Sequence, residues 1–299
     1  LRKGLKWSDG VPFTTADILF WWEDMAMNDD FADEPKPWWG FIDGSFKTSL
    51  VVIDEYTFKF VFESPNWNIP ATLAQGYWNY EPMMRPKHYL SQFHPKYNPD
   101  LKDYSELTKR LNYWQVPGYP TLQAWVLTEY EPGVRSVFER NPYYWKVDTA
   151  GNQLPYIDRL VSEEISDQEV RVLKVISGEI DFSARGVPSP RNVPLLLDNA
   201  EQGNYRWLDS WINDAGGWPT LLINQTYTGG DDYLRELFRD KNFRRALSVA
   251  IDREEINDVI WYGFGTIQNT TISRGSWHLK DPEDRQPLKN GHTASLSTM

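Results

Sequence analysis

Residues 7–27, WSDGVPFTTADILFWWEDMAM, constrain the fold more tightly than any other stretch of the chain. Asp9-Gly10 followed by Pro12 makes a turn, because Gly tolerates positive φ and Pro fixes its own. Thr14 then stands as an N-cap with Asp17 three residues on, a short-acid version of the capping box. Phe13 and Ile18 take the two places of a hydrophobic staple. Ile18, Trp21, Trp22 and Met25 follow the i, i+3, i+4, i+7 spacing of one buried face. The pattern predicts a helix over about 15–27 in which Trp21 and Trp22 are structural.

Elsewhere the apolar period switches between strand and helix. LVVIDEYTFKFVFESP reads as a hairpin, with Tyr56, Phe58, Phe60 and Phe62 alternating along its second strand. A short helix is expected near Ser105–Leu111, inside an irregular stretch rich in Pro, Asn and Tyr. AWVLTEYEPGVRSVFERN reads as a second hairpin, turning at Glu131-Pro132-Gly133. ISDQEVRVLKVISGEIDFSA predicts a helix capped by Ser166 with Glu169 and stapled by Ile165 and Val170. Gly178 stops that helix, and EIDFSA resumes as a strand. PTLLINQT reads as a short apolar strand. DKNFRRALSVAIDREEINDVIWYGFG reads as two helices, the second capped by Asp252 with Glu255 and ended by Gly263. From Ser273 the periodicity vanishes, and the tail reads as disordered.

Composition excludes several kinds of chemistry. The net charge of −11 argues against a nucleic-acid partner, which would need clustered Lys and Arg. The absence of Cys removes disulfides, thiol nucleophiles and Cys-based zinc sites. No apolar run approaches the ~18 residues that span a bilayer, so no membrane span is expected in this chain. His88, His94, His278 and His292 form no i, i+4 pair, so no zincin-type metal site is expected, and His88 and His94 are expected at the surface. There is no nucleophile elbow and no P-loop, and GFGTIQ lacks the third Gly of a dinucleotide fingerprint. No cofactor is implied. The 15 Trp, 16 Tyr and 14 Phe supply rings for the core and for faces that are partly apolar and partly wet, such as those of sugars and peptide side chains. Acids beside such rings keep a glycan-active hydrolase with paired carboxylates open as the alternative function.

Five segments in order carry a resemblance: LRKGLKWSDGVPFTTADILF, NPYYWKVDTAGNQLPYID, LKVISGEIDF, LLINQT and FRRALSVAIDREEINDVIWYGFG. Together they resemble the extracytoplasmic solute-binding proteins of ABC importers, family 5, the oligopeptide/dipeptide class. The resemblance implies a two-lobed α/β fold of the type 2 periplasmic-binding kind, with mixed sheets flanked by helices. It implies no enzyme but a binder of a peptide or oligosaccharide, working with permease subunits at the periplasmic or extracellular face of the membrane. VPGYPTLQAWVLTEY departs from the G-T-G-P-[FY] strand entry of many peptide binders. With GNQLPYID and the Trp excess, it is similar to relatives that bind oligosaccharides.

By the same resemblance, residues 1–140 form a subdomain of lobe one and 141–228 part of its central sheet. Residues 229–272 open lobe two, and 273–299 are tail. The chain opens in mid-pattern, without Met or leader, and is expected to be an internal piece lacking its start and most of lobe two. In the family, the strand crossing between lobes and the loop after the GEIDF strand border the cleft. Mapped here they nominate Trp218, Thr220, Asn224 and Arg185 as ligand-binding residues. Trp211 and Trp78 are added on aromatic character.

Overall fold

The computed structural model describes residues 1–75, 81–183, 190–208, 221–263, 265 and 267. They fall into two compact units, Leu1–Ile165 and Ser166–Met299.

In the first unit the predicted helix forms in two parts, α1 over Thr15–Leu19 and a π-helical continuation over Phe20–Ala26. The capping box is present: Asp17 accepts the Thr14 N–H at 3.0 Å, and the Thr14 hydroxyl oxygen accepts the Ala16 N–H at 3.2 Å. The five-residue hydrogen-bond span of the π-helix closes with the Met27 N–H on the Trp22 carbonyl at 2.9 Å. That wider turn changes which way the side chains face. Ile18, Trp21, Trp22 and Ala26 enter one buried cluster, with Trp7, Phe13 and Trp39. Met25 turns instead into a second cluster with Phe20, Leu90 and Leu107. All four predicted residues are buried, but on two faces rather than one. A helix apolar on both sides must be packed on both sides.

Around this helix come the short strands β1 (Phe41–Ile42) and β2 (Ser45–Phe46), and then the hairpin β3 (Thr48–Asp54) and β4 (Thr57–Phe62). Phe58, Phe60 and Phe62 face the first cluster as the alternation requires, while Tyr56 falls in the turn rather than in the strand. Helices α2 (Ile69–Gln75), α3 (Lys87–Leu90) and α4 (Ser105–Leu111) follow, the last at its predicted limits. Strands β5 (Trp125–Glu131) and β6 (Arg135–Arg140) form the second predicted hairpin. β7 (Arg159–Glu163), not foreseen from the sequence, joins β6 on its other side to give an antiparallel β5-β6-β7 sheet. Leu127 and Val137 are its buried residues.

Buried polar groups tie the loops to this frame. His94 is only 1% exposed, which corrects the expectation of a surface histidine. Its Nε2–H donates to the Asp24 carbonyl at 3.0 Å and its Nδ1 accepts the Lys96 N–H at 3.1 Å. Both ring nitrogens of the neutral ring are thereby satisfied, so burial carries no unpaired-group cost. The Asp24 carboxylate, also buried, pairs with Lys96 and accepts the Tyr97 hydroxyl at 2.5 Å. Arg85 and Glu34 form a buried ion pair at 2.7 Å. Asn141, fully buried, donates to the Thr121 and Gln123 carbonyls at 3.3 and 2.9 Å. That amide anchors the NPYYW segment. Beyond it the Asp148 carboxylate gathers the Ala150 and Asn152 N–H groups, each at 2.8 Å, and the Tyr156 hydroxyl at 2.5 Å. Hydrogen bonds from Tyr156 and Asn152 hold its carboxyl down to about 2.

In the second unit α5 (Gln168–Ile176) and α6 (Val193–Asp198) pack through Val172, Val175 and Leu196. The cap of α5 is Asp167 rather than Ser166: its carboxylate reaches the Glu169 and Val170 N–H groups at 2.7 and 3.0 Å. Gly178, at φ +78°, ends the turn as expected. The predicted strands over EIDFSA and PTLLINQT are corrected as far as they are described: residues 179–183 and 221–224 carry no strand, while residues 184, 219 and 220 lie outside the described residues. Helices α7 (Asp232–Arg239), α8 (Lys241–Val249) and α9 (Arg253–Trp261) follow. Asp252 caps α9 through the Glu255 N–H at 2.9 Å, and Tyr262 and Gly263 end it at positive φ. The tail from 273, and with it the reading of disorder, lies outside the described residues, as do His278 and His292.

Trp21→Ala is expected to cost about 3–5 kcal/mol in chemical denaturation, the range for truncating a fully buried large aromatic. Asp148 gives a pH test. A carboxyl depressed in the folded state stabilises fully above its unfolded value, and that contribution is lost as pH falls through about 2. The Asn152 amide resonance should therefore hold its folded position until pH approaches about 2, and Asp148→Asn should abolish that acid step.

Candidate functional site

The described residues that flank the segments which the resemblance places at a ligand cleft pack in a small core of the second unit. Ile180 leads out of α5 toward residues 184–189, and Tyr205 and Trp207 lead toward residues 209–220. All three side chains pack on the same Val172, Val175 and Leu196 cluster. Residues 180, 205 and 207 are therefore held side by side by one set of apolar contacts.

Two glycines permit that approach. A Cβ on Gly178 would lie 3.0 Å from the Gly203 carbonyl oxygen. A Cβ on Gly203 would lie 2.6 Å from the Tyr205 ring and 2.7 Å from the Ile176 carbonyl oxygen. Bare Cα atoms are what let the two backbones touch. Next to them the Tyr205 hydroxyl donates to the Leu196 carbonyl, and burial raises its pKa.

Of the six nominated ligand residues, Asn224 is described. It is exposed and starts the turn that precedes α7, its Oδ1 accepting the Thr226 N–H at 3.1 Å and the Thr226 hydroxyl at 3.0 Å. The Arg239 Nε–H donates to the neighbouring Gln225 carbonyl at 3.0 Å, tying that turn to the end of α7. Trp78, Arg185, Trp211, Trp218 and Thr220 lie outside the described residues.

In the first unit the WSDG turn is held by the Trp7 N–H on the Val11 carbonyl at 2.8 Å and the Gly10 N–H on the Trp7 carbonyl at 2.9 Å. His88 Nε2 meets the Asp9 carboxylate at 2.7 Å. Asp17, also near His88, has its pKa raised by burial, against the opposing pull of the Thr14 and Lys87 N–H groups. Its two oxygens are taken by those N–H groups, each at 3.0 Å, so it serves the helix start rather than acid–base chemistry. The sequence reading missed a patch of exposed aromatics here. Trp38 is 63% and Trp67 88% exposed, on neighbouring turns joined by the Asn66 amide donating to the Trp39 carbonyl at 3.3 Å. Only the tertiary pairing of these turns reveals the patch, since Trp38 and its buried neighbour Trp39 are indistinguishable by residue type.

The sequence profile described as bacterial extracellular solute-binding proteins, family 5 Middle, matches residues 1–293. The chain is 31% identical, over 92% of its length, to the periplasmic alpha-galactoside-binding protein of Rhizobium meliloti (strain 1021), and covers 39% of that protein. It is 28% identical, over 86% of its length, to the periplasmic oligopeptide-binding protein OppA of Salmonella typhimurium, and covers 42% of it. Among solved structures, an oligopeptide-binding protein OppA matches at TM-score 0.74 and 36% identity, with 94% of this chain and 45% of that one covered. The periplasmic binding protein MelB of Agrobacterium fabrum C58, in complex with stachyose, matches at TM-score 0.54 and 29% identity, with 87% and 38% covered. The chain thus spans about two fifths of these relatives' length and over that span has the type 2 periplasmic-binding fold. None of the relatives named here is a hydrolase by name.

Gly203→Ala is expected to destabilise α5 and α6 by about 1 kcal/mol or more, since the added methyl has nowhere to go. Hydrogen exchange should show faster exchange of the α5 and α6 amides and unchanged protection in β5–β7.

Proposed function

We propose a role in solute capture for import, from the premise that this chain belongs to the bacterial extracellular solute-binding proteins of family 5. The family match along residues 1–293 carries the reading. The complete protein binds a solute outside the cytoplasmic membrane, holds it between two lobes and passes it to an ABC-type permease. Ligand contacts to both lobes favour closure, and no chemical step is required. Among the described residues no helix is long and apolar enough to cross a membrane.

The ligand class we favour is an oligosaccharide. The alpha-galactoside-binding relative supports it at 31% identity over 92% of this chain, and the stachyose complex supports it at 29% identity. An oligopeptide is the second reading, favoured by the OppA structure at 36% identity and TM-score 0.74. Nothing supports a glycan hydrolase.

Calorimetry on this chain joined to the remaining length of its relatives, with raffinose, stachyose and short peptides, tests the reading. Saturable sugar binding without turnover is expected. Tight peptide binding with no response to sugars would reverse the ligand class, and release of free hexose would overturn the binding role. The 299-residue chain alone should bind about a thousandfold more weakly. A site that buries ~70–90% of its ligand between two faces loses roughly half its contacts when one is incomplete. A loss of ~4 kcal/mol turns a micromolar constant into a millimolar one.

A further inference from the structure

We propose that Asp43 is a site of spontaneous covalent modification, where the turn between β1 and β2 converts to an isoaspartyl linkage through a cyclic imide with Gly44. The proposal is independent of the solute-binding reading above.

The sequence holds two Asp-Gly pairs, Asp9-Gly10 and Asp43-Gly44. Such pairs can react within the chain because Gly has no Cβ to shield its backbone nitrogen from the preceding side chain. The Gly nitrogen gives up its proton and bonds to Cγ of the protonated Asp carboxyl, whose hydroxyl departs as water. Water then adds to one of the two carbonyls of the five-membered imide. Opening at Cγ restores Asp. Opening at the Asp main-chain carbonyl breaks its bond to the Gly nitrogen, so that the backbone now runs through the side chain. One water leaves and one returns, and the step needs no oxidant or other reactant.

The fold treats the two pairs differently. At Asp9-Gly10 both reacting groups are held. Asp9 Oδ2 meets His88 Nε2 at 2.7 Å, and its Oδ1 accepts the Val11 N–H at 3.2 Å. The Gly10 N–H donates to the Trp7 carbonyl at 2.9 Å, and the Tyr143 ring stands 3.1 Å from where a Gly10 Cβ would lie. Imide formation there would have to break these contacts together.

Asp43-Gly44 is the two-residue loop of the β1–β2 pair, with φ +49° and +78°. That is the positive-φ hairpin turn which Asp-Gly favours. Both residues are exposed. Among the described residues no group bonds to the Asp43 carboxylate and no carbonyl accepts the Gly44 N–H. A Cβ on Gly44 would meet nothing within 4 Å. β1 and β2 are two residues each, so little ladder holds the turn shut. The isoaspartyl product adds one backbone atom between them and would draw Phe41 away from Phe46, the ring it meets at 5.3 Å.

Digestion after glutamate puts the pairs in separate peptides, 1–23 and 35–55. The 299-residue chain is kept for weeks in mildly acidic buffer, folded and in denaturant. Isoaspartate in each peptide is then measured by enzymatic methylation and by electron-transfer fragmentation, which tells the two linkages apart at equal mass. With each folded rate divided by its rate in denaturant, residue 43 should convert about tenfold faster than residue 9 or more, since a held pair reacts only through local opening. Asp43→Ser should remove the product from 35–55, and His88→Ala should speed conversion at Asp9. Should His88→Ala not fold, the comparison of the unaltered chain in and out of denaturant decides alone. Equal normalised rates, a faster Asp9, or no conversion of Asp43 in the folded chain would overturn the proposal.

Discussion

The first unit depends on one constraint: the helix over residues 15–26 is buried on both sides. Ile18, Trp21 and Trp22 hold one cluster and Phe20 and Met25 the other, so each cluster is the other's support through a single backbone. Its two buried carboxylates would be costly if unpaired. Asp17 binds the helix start to the first residue of α3 through the Lys87 N–H, and Asp24 holds the segment carrying Lys96 and Tyr97. Loops that carry few apolar residues are thus fixed by charge-assisted hydrogen bonds to an apolar helix. In the same frame Trp22, Trp39 and Phe60 pack as one set of rings.

Among the described residues of the second unit the buried cluster is small. Three buried residues, Val172, Val175 and Leu196, organise it, and close backbone approach at Gly178 and Gly203 replaces side-chain packing. Val249, Val259 and Ile260 on α8 and α9 are 67%, 64% and 55% exposed. Ile180, Tyr205 and Trp207 all pack on that one cluster.

Local signals were legible where the chemistry is local. The Thr14–Asp17 box, the alternating Phe58, Phe60 and Phe62, the Asp252 cap and the Gly263 stop each act within a few residues, and each is found in place. Two further helices carry local signals of the same kind: Asp231 caps α7 ahead of Leu234, Leu237 and Phe238, and α6 has a Pro in its first turn. The errors have a common cause. EIDFSA and PTLLINQT have strand composition, yet a strand exists only through hydrogen bonds to a neighbour, and composition does not supply one. Ser166 and Asp167 are both good caps, and a difference of one residue was settled by which oxygen reaches two N–H groups at once.

The sequence by itself determined the family, the turn-and-helix start, both hairpins and the paired helices near the end, because caps, turns and periodicity are properties of neighbouring residues. Tertiary structure alone decided that Met25 leaves its expected face, since the π-turn answers to packing on two sides. It alone decided that His94 is interior, since its partners lie 70 residues away at Asp24 and next door at Lys96. It also decided that Trp39 is core while Trp38 and Trp67 stand in solvent. Burial is a property of what the rest of the chain brings against a side chain, and no residue's identity contains it.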